Sequence, residues 1–359
     1  MFFSNRKSIL GLDIGTSYIK AIQLKPDGGK FQLENYGMVH VIYSEDEGKN
    51  TDVIKHTTEI IKNLYKKAKF TSKKVALSIP PNVAFVSIIS MPKMPEREMQ
   101  KSIEYKAENY IPLPLSDVNL SWQILSEGPV LKKPETQSEG SALKSANFEQ
   151  PMESQILLTA VAKNVVNNYL NIVQSAGLEP IALEVESLST IRAMVSDGER
   201  DSLLIVDIGA KAVHISLVKD KNLWGSKHVN IGGETITLDI ARSLGISFER
   251  AEIMKRTSQE SNSGSPVESI ARSVADQIKL ECLQLLRVTT NQGKKVGKIL
   301  LTGGGSNFWV FKKSLSTLGI PVETGKFLDK INYSPDVASH LEPIASQFSV
   351  AAGLAMRSS

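Results

Sequence analysis

The sequence predicts an α/β protein of two lobes with duplicated cores. The first lobe carries an inserted α+β subdomain and the second a smaller helical one. Three observations carry this. Ser8 to Lys25, SILGLDIGTSYIKAIQLK, is an apolar run, a tight turn at Asp13-Ile14-Gly15-Thr16 and a second apolar run, the pattern of a strand hairpin. Ser202 to Lys219, SLLIVDIGAKAVHISLVK, repeats it at a constant offset, since 207 − 13 and 209 − 15 both give 194. Lys298 to Ser306, KILLTGGGS, is a further strand ending in glycines, followed by helical spacing at Phe308, Phe311, Leu315 and Leu318. One hairpin present twice at one offset points to two halves facing each other.

Bulk properties bound the rest. A chain of 359 residues can hold two sizeable cores. At 41% hydrophobic and 22% charged it reads as folded, and a net charge of +4 gives no case for nucleic acid. Lys66, Lys67, Lys69, Lys73 and Lys74 cluster, but around a helix end, where a solvated face is expected. The opening MFFSNRKS is too short an apolar stretch for a signal peptide, and no run is long enough to span a bilayer. A single cysteine, Cys282, excludes an internal disulfide framework, and the five histidines show no metal-ligand spacing. The expectation is a cytoplasmic protein.

Along the chain, Pro26 to Gly29 makes a turn into a third strand at Phe31 and Leu33. A helix follows Thr51-Asp52 with Thr57, Ile60, Ile61 and Leu64 on one face, and Lys74 to Ile79 is again a strand. These segments, residues 1–81 with 178–200, form the first core. Residues 82–177 read as the insertion. It has a strand over Val83 to Met91 and a helix over Pro95 to Tyr110. A Pro-interrupted segment at Ile111 to Leu115 and a strand through Val118 to Ile124 follow. The polar stretch 126–153 reads as a mobile loop. A strand at Ile156 to Ala162 and a helix ending at Gly177 complete the insertion. Pro180 to Glu186 returns to the first core. Residues 201–244 and 298–359 form the second core, with helices over 245–297 as its smaller subdomain. The C-terminal stretch, Phe348 to Arg357, is a helix of small residues with no cationic amphipathic extension.

The turns suggest phosphate chemistry. Gly15, with the small Thr16 and Ser17, allows backbone N–H groups to converge on an anion. Asp13 and Asp207 stand at strand ends, where a carboxylate can hold Mg²⁺ through its hydration shell. Lys20 can reach back as a cation. Glycines 303–305 allow close approach of a flat ligand, though a flexible strand–helix loop explains them as well.

Taken together, the paired turns and TGGGS resemble the phosphate-one, phosphate-two and adenosine motifs of the actin-like ATPase superfamily. Within it, ENYIPLPLSDV (Glu108 to Val118), SAGLEPIALEVESLS (Ser175 to Ser189), VDIGA, IGGETIT and VAAGLAMR make the chain similar to the PilM family of type IV pilus assembly, with FtsA next. The missing amphipathic extension favours the PilM family over FtsA. The resemblance implies an actin-like (ribonuclease H-like) fold, ATP and Mg²⁺. Asp13, Gly15, Thr16, Ser17 and Lys20 would lie on one side of the nucleotide. Asp207, Gly209, Ala210, His214, Gly232 and Gly233 would lie on the other, with Gly303, Gly304, Gly305 and Ser306 at the adenosine. Glu252 and Lys255 resemble a ribose-contacting pair of FtsA. Glu186 resembles the glutamate that positions water in related ATPases, although a helix N-terminal glutamate favoured by the dipole is an equal reading. Lys211 would narrow the second turn, so hydrolysis should be slow or absent.

For function, the resemblance implies an ATP-binding platform of pilus assembly and twitching motility, without nucleic acid or direct membrane insertion. It would be held at the inner membrane by the N-terminal cytoplasmic tail of PilN and would contact the pilus motor or platform proteins, with homo-oligomers open. The tail groove is expected on the insertion where it meets the first lobe, at Phe85, Met99, Ile103, Tyr110, Ile111 and Leu113. The last three should be exposed because the prolines interrupt regular structure, whereas subdomain core is the rival reading for Met99 and Ile103. Alternatives are an FtsA-like division scaffold, a type II secretion relative, or a small-molecule kinase of the sugar-kinase branch.

Overall fold

Two antiparallel hairpins set the frame of the computed structural model, which describes residues 7–41, 50–129, 152–260, 264–290 and 295–357. In the first, β1 (Ile9–Ile14) pairs with β2 (Tyr18–Asp27), and Asp13 stands opposite Lys20. β3 (Lys30–His40) returns through Gly28 and Gly29, whose φ values of 53° and 93° suit the tight turn of a twisted hairpin. Helix α1 (Asn50–Lys67) leads to β4 (Lys74–Ile79), which lies parallel to β1. β8 (Glu179–Val185) and β14 (Ile331–Asn332) complete a sheet of order β14-β3-β2-β1-β4-β8.

The second hairpin repeats the first. β9 (Ser202–Ile208) pairs with β10 (Val213–Lys219), and Asp207 stands opposite His214. β11 (Asn222–Val229) follows through Asp220 and Lys221, both at positive φ (50° and 60°). With β12 (Val296–Thr302) and β13 (Val322–Thr324) the order is β11-β10-β9-β12-β13. Leu204, Val206 and Ile215 of this sheet share one buried cluster with helices α5 (Gly233–Leu244), α6 (Phe248–Thr257), α7 (Pro266–Thr290) and α8 (Trp309–Ser316). The helices expected as subdomain 245–297 therefore pack into the second core itself, and Cys282 lies inside it.

Between the halves runs α4 (Glu186–Met194), and α10 (Ser349–Ala355) packs against both α4 and β1, with the short α9 (Pro335–Leu341) before it. The approach is backbone to backbone. A Cβ on Gly353 would lie 1.8 Å from the Ser189 carbonyl oxygen, and one on Gly11 1.9 Å from that of Ala351. Glu184 closes the junction, binding Arg192 through both oxygens and Arg357 through one, while Arg192 also donates to the Gly353 carbonyl at 2.7 Å. The small residues of VAAGLAMR are thus a packing requirement.

Residues Val83–Val166 form a separate compact unit. Its sheet has the order β5-β7-β6, from β5 (Ala84–Pro92), β6 (Val118–Pro129) and β7 (Met152–Ala162), and α2 (Glu96–Ala107) covers one face. Three expectations change here. The unit ends at Val166, because α3 (Lys163–Ser175) buries Ile172 and Val173 with Ile61 and Leu64 of α1, in the first core. Ile111 is buried with Met99 and Ile103 in this unit's own core, so the prolines around it do not expose it. Residues 126–129 and 152–153 are strand, while the rest of the expected loop, 130–151, lies outside the described residues, as does the start of MFFSNRKS. Among the described residues no helix is long and apolar enough to cross a membrane.

Candidate nucleotide site

The two turns have one geometry. Gly15 N–H donates to the Tyr18 carbonyl at 3.1 Å, and Gly209 N–H to that of Ala212 at 2.9 Å, again 194 residues on. The glycine amides therefore close the turns and are not free for a ligand. The amides of Thr16 and Ser17 in one turn, and of Ala210 and Lys211 in the other, find no acceptor among the described residues. Each glycine is obligatory: a Cβ on Gly15 or Gly209 would come within 2.8 Å of the carbonyl that its own amide binds. Lys211 is exposed, so it does not fill the second turn. What engages that turn is the start of α5, where Gly233 and Glu234 N–H bind the carbonyls of Gly209 and Ala210 at 3.0 and 2.8 Å. That uses the amide of Gly233 within the protein.

Behind the turns lies a buried charge group. Lys20 Nζ is 2.7 Å from Asp13 Oδ2, and Ser78 on the neighbouring strand donates to Asp13 Oδ1 at 3.4 Å. Burial alone would lower the Lys20 pKa, but the Asp13 carboxylate, with Asp207 and Glu186 beyond it, holds it above the usual value. Asp207 is pushed up to about 6, chiefly by burial, with Lys20 opposing and Asp13 adding. Glu186, the first residue of α4, has its pKa raised well above the ordinary glutamate value by burial and by Asp13 and Asp207, with Lys20 opposing. One lysine thus serves three carboxyl groups, the buried Asp13 in contact and the half-buried Asp207 and Glu186 at longer range.

His214 takes the place in the second hairpin that Lys20 holds in the first. Its Nε2 is 3.7 Å from Glu186 Oε2, and its Nδ1 is 3.0 Å from Nδ1 of His228, whose Nε2 reaches Asn230 Oδ1 at 2.6 Å. Burial and His228 lower its pKa to about 4, so it is neutral.

The other predicted residues adjoin this group. Gly303, at φ 81°, sits on Asp207: a Cβ there would be 2.3 Å from Asp207 Oδ1. Gly305 packs equally tightly on Ile208, and Ser306 donates to the Gly303 carbonyl at 2.8 Å. Gly232 abuts the carbonyls of Gly209 and Ala210. Lys255 Nζ reaches the Gly233 carbonyl at 2.8 Å, Thr237 Oγ1 at 2.7 Å and Glu252 Oε2 at 2.6 Å. Burial lowers its pKa, while hydrogen bonds from Lys255 and Thr237 outweigh burial to lower that of Glu252. Arg256, next on α6, pairs with Glu252 at 2.6 Å and interacts with Tyr18 beside the first turn.

The predicted nucleotide residues lie on the two turns and their hairpin strands, on the glycine segments 232–233 and 303–306, and on α6, with Glu186 at the start of α4. Sequence reasoning missed Ser78, His228, Tyr18 and Arg256. His228 was out of reach: with Asp220 and Lys221 as the turn, Lys227 would fall opposite His214, and it is the irregularity between Leu217 and Val218 that brings His228 there. The predicted partner residues lie in the separate unit, where Tyr110 and Leu113 are exposed and Phe85 is half-buried against the core.

Comparison with known proteins agrees with this geometry. The family model described as type IV pilus assembly protein PilM matches residues 11–139 and 141–359. The cell division protein FtsA of Enterococcus faecalis is 30% identical over 171 residues, 40% of this chain, a match that spans only 38% of that relative's length. Among solved structures, a PilM-PilN type IV pilus biogenesis complex superposes with a TM-score of 0.79 at 24% identity, covering 98% of both chains. MreB5 of Spiroplasma citri bound to ADP gives 0.51 at 12% identity, covering 97% of this chain and 94% of that one. The fold is actin-like.

Proposed function

The chain belongs to the family of type IV pilus assembly protein PilM, and we propose that it is an ATP-binding platform of pilus assembly and twitching motility. In this reading the N-terminal cytoplasmic tail of PilN holds it at the inner membrane, and it links PilN to the pilus motor. The carrying observation is the pair of Asp-x-Gly turns with equivalent registers and hydrogen bonds, each with amides that find no acceptor among the described residues, beside the group Asp13, Lys20, Asp207 and Glu186. The similar fold of MreB5, solved bound to ADP, supports a nucleotide as the ligand.

The residues fit Mg²⁺ as well. Asp13 and Asp207 outnumber Lys20, and among the described residues no set of three such side chains chelates an ion directly. Asp13 and Asp207 would therefore hold the ion through water. Bound there, Mg²⁺ would neutralise phosphate charge. Around it, Thr16 and Ser17 amides bind phosphate oxygens, Lys20 supplies a cation, and Lys255 and Glu252 approach the ribose. A raised pKa leaves less of Glu186 as the carboxylate that could take a proton from water, so turnover by the isolated protein is slow or absent.

A tail that is disordered alone binds extended, through backbone hydrogen bonds and a few apolar anchors. The solved PilM-PilN complex supports PilN as the partner. Because Ile111 belongs to the core, Tyr110 and Leu113 are the residues to test. Fluorescence titration of a labelled PilN tail peptide should give at least tenfold weaker binding with Tyr110→Asp plus Leu113→Asp, with Mg-ATP binding unchanged. Equal tail affinity would overturn this placement.

The match to FtsA favours one second reading, a division scaffold. Deletion of the gene separates them: lost pili with normal septa supports the pilus platform, and division defects with intact pili supports the scaffold.

A further inference from the structure

At the end of the first sheet away from the turns stands a group of lysines that the nucleotide site does not use. Lys66 and Lys67 end α1, Lys69 turns the chain, and Lys73 and Lys74 lead into β4. No aspartate or glutamate occurs between Glu59 and Glu96. Among the described residues none of the five lysines makes an ion pair, and Lys66, Lys67, Lys69 and Lys73 are exposed. Lys73 lies over the Tyr65 ring at 4.4 Å, a cation–π contact at an exposed position.

The helix end explains only part of this. Two cations in the last turn of α1 complement its dipole, and Lys66 and Lys67 supply them. Lys69, Lys73 and Lys74 lie beyond it. Lys69 holds φ 54°, a left-handed position that glycine occupies with less strain. Of the carboxylates at this end of the sheet, Glu34 accepts from Gln23, while Asp27 and Glu179 stand opposite Lys30 and Lys74 in the strand registers without an ion pair among the described residues. These five lysines outnumber the three carboxylates, and their charge is largely exposed and without an ion pair among the described residues.

We propose that this lysine edge is a contact surface for anionic phospholipid headgroups, acting beside the protein tether. A dispersed, flexible set of ammonium groups suits a fluid layer of anionic headgroups, to which each lysine adds through long-range attraction. Val75 of β4 pairs with Leu10 at the start of β1, so the edge lies about 13 Å along the strand from Asp13. Lipid and nucleotide then do not compete. The inference rests on the membrane-proximal role proposed above, but its test needs neither PilN nor nucleotide, so either can fail alone.

Co-sedimentation of the full chain with vesicles of phosphatidylglycerol and phosphatidylcholine, against phosphatidylcholine alone, tests it. Binding is expected only to the anionic vesicles, reduced at least tenfold by Lys66→Glu, Lys67→Glu and Lys73→Glu together, and abolished near 0.5 M salt by screening. A charge-neutral triple Gln variant should weaken binding less than the Glu variant, and both should still unfold in one cooperative transition, lowered only by the helix-end charges lost at Lys66 and Lys67. Equal binding to both vesicle types, or undiminished binding by the Glu variant, overturns the proposal. So does tight binding to RNA without binding to vesicles.

Discussion

Gly353 has no side chain because there is no room for one. A Cβ would enter the Ser189 carbonyl, and the same helix faces Gly11 of β1 equally closely. Gly353→Ala must push α10 off α4, at a cost of about 1–3 kcal/mol typical of overpacking. A lower urea midpoint with an unchanged slope would check it. Cys282 is buried among α7 and the second sheet, and burial raises its thiol pKa to about 12. The thiolate, not the thiol, reacts with disulfide reagents. Ellman's reagent should therefore find no thiol in the folded protein and one per chain in denaturant. A fast native reaction would contradict this packing.

Glu268 shows what holds an element in place. On the first turn of α7 it accepts from Lys313 of α8 and Arg272, each at 2.8 Å, and from the Gly264 amide. Lys313, that amide and Arg272 hold its pKa down to about 2 from an ordinary 4.5. The folded state therefore keeps the charge longer than the unfolded chain. Its stabilisation is complete above pH 4.5 and lost as the pH falls towards 2. Glu268→Gln should flatten the fall of the urea midpoint across that window, while an unchanged profile would refute the coupling.

The elements also show what was legible. β1, β4 and β9 could be placed because each is a short apolar run bounded by turn residues. Ile111 was misplaced because Pro112 and Pro114 exclude regular structure but do not exclude burial. The hairpin of β10 and β11 hid its register because Asp220 and Lys221 lack the Asn-Gly signal that usually marks two positive φ values.

For the whole molecule, the duplicated turn gave away the actin-like plan, because one motif at one offset survives without any knowledge of contacts. What periodicity could not assign was membership. α3 continues the inserted unit in sequence yet packs in the first core, and the helices over 245–297 share the second core. Such facts depend on which apolar faces meet, which no local pattern encodes. The same duplication makes the central claim: two turns, one from each half, bind one nucleotide. A ligand that binds only the assembled cleft stabilises it by mass action, by about 2.7 kcal/mol at a hundredfold excess over Kd. Mg-ATP should therefore raise the melting temperature by a few degrees, and Mg²⁺ or AMP alone should not. Calorimetric titration of Mg-ATP into the parent and Asp13→Ala tests the claim most directly. The account predicts one site in the parent, with affinity reduced at least a hundredfold in the variant. Equal affinity in the two, or no site in the parent, would contradict it.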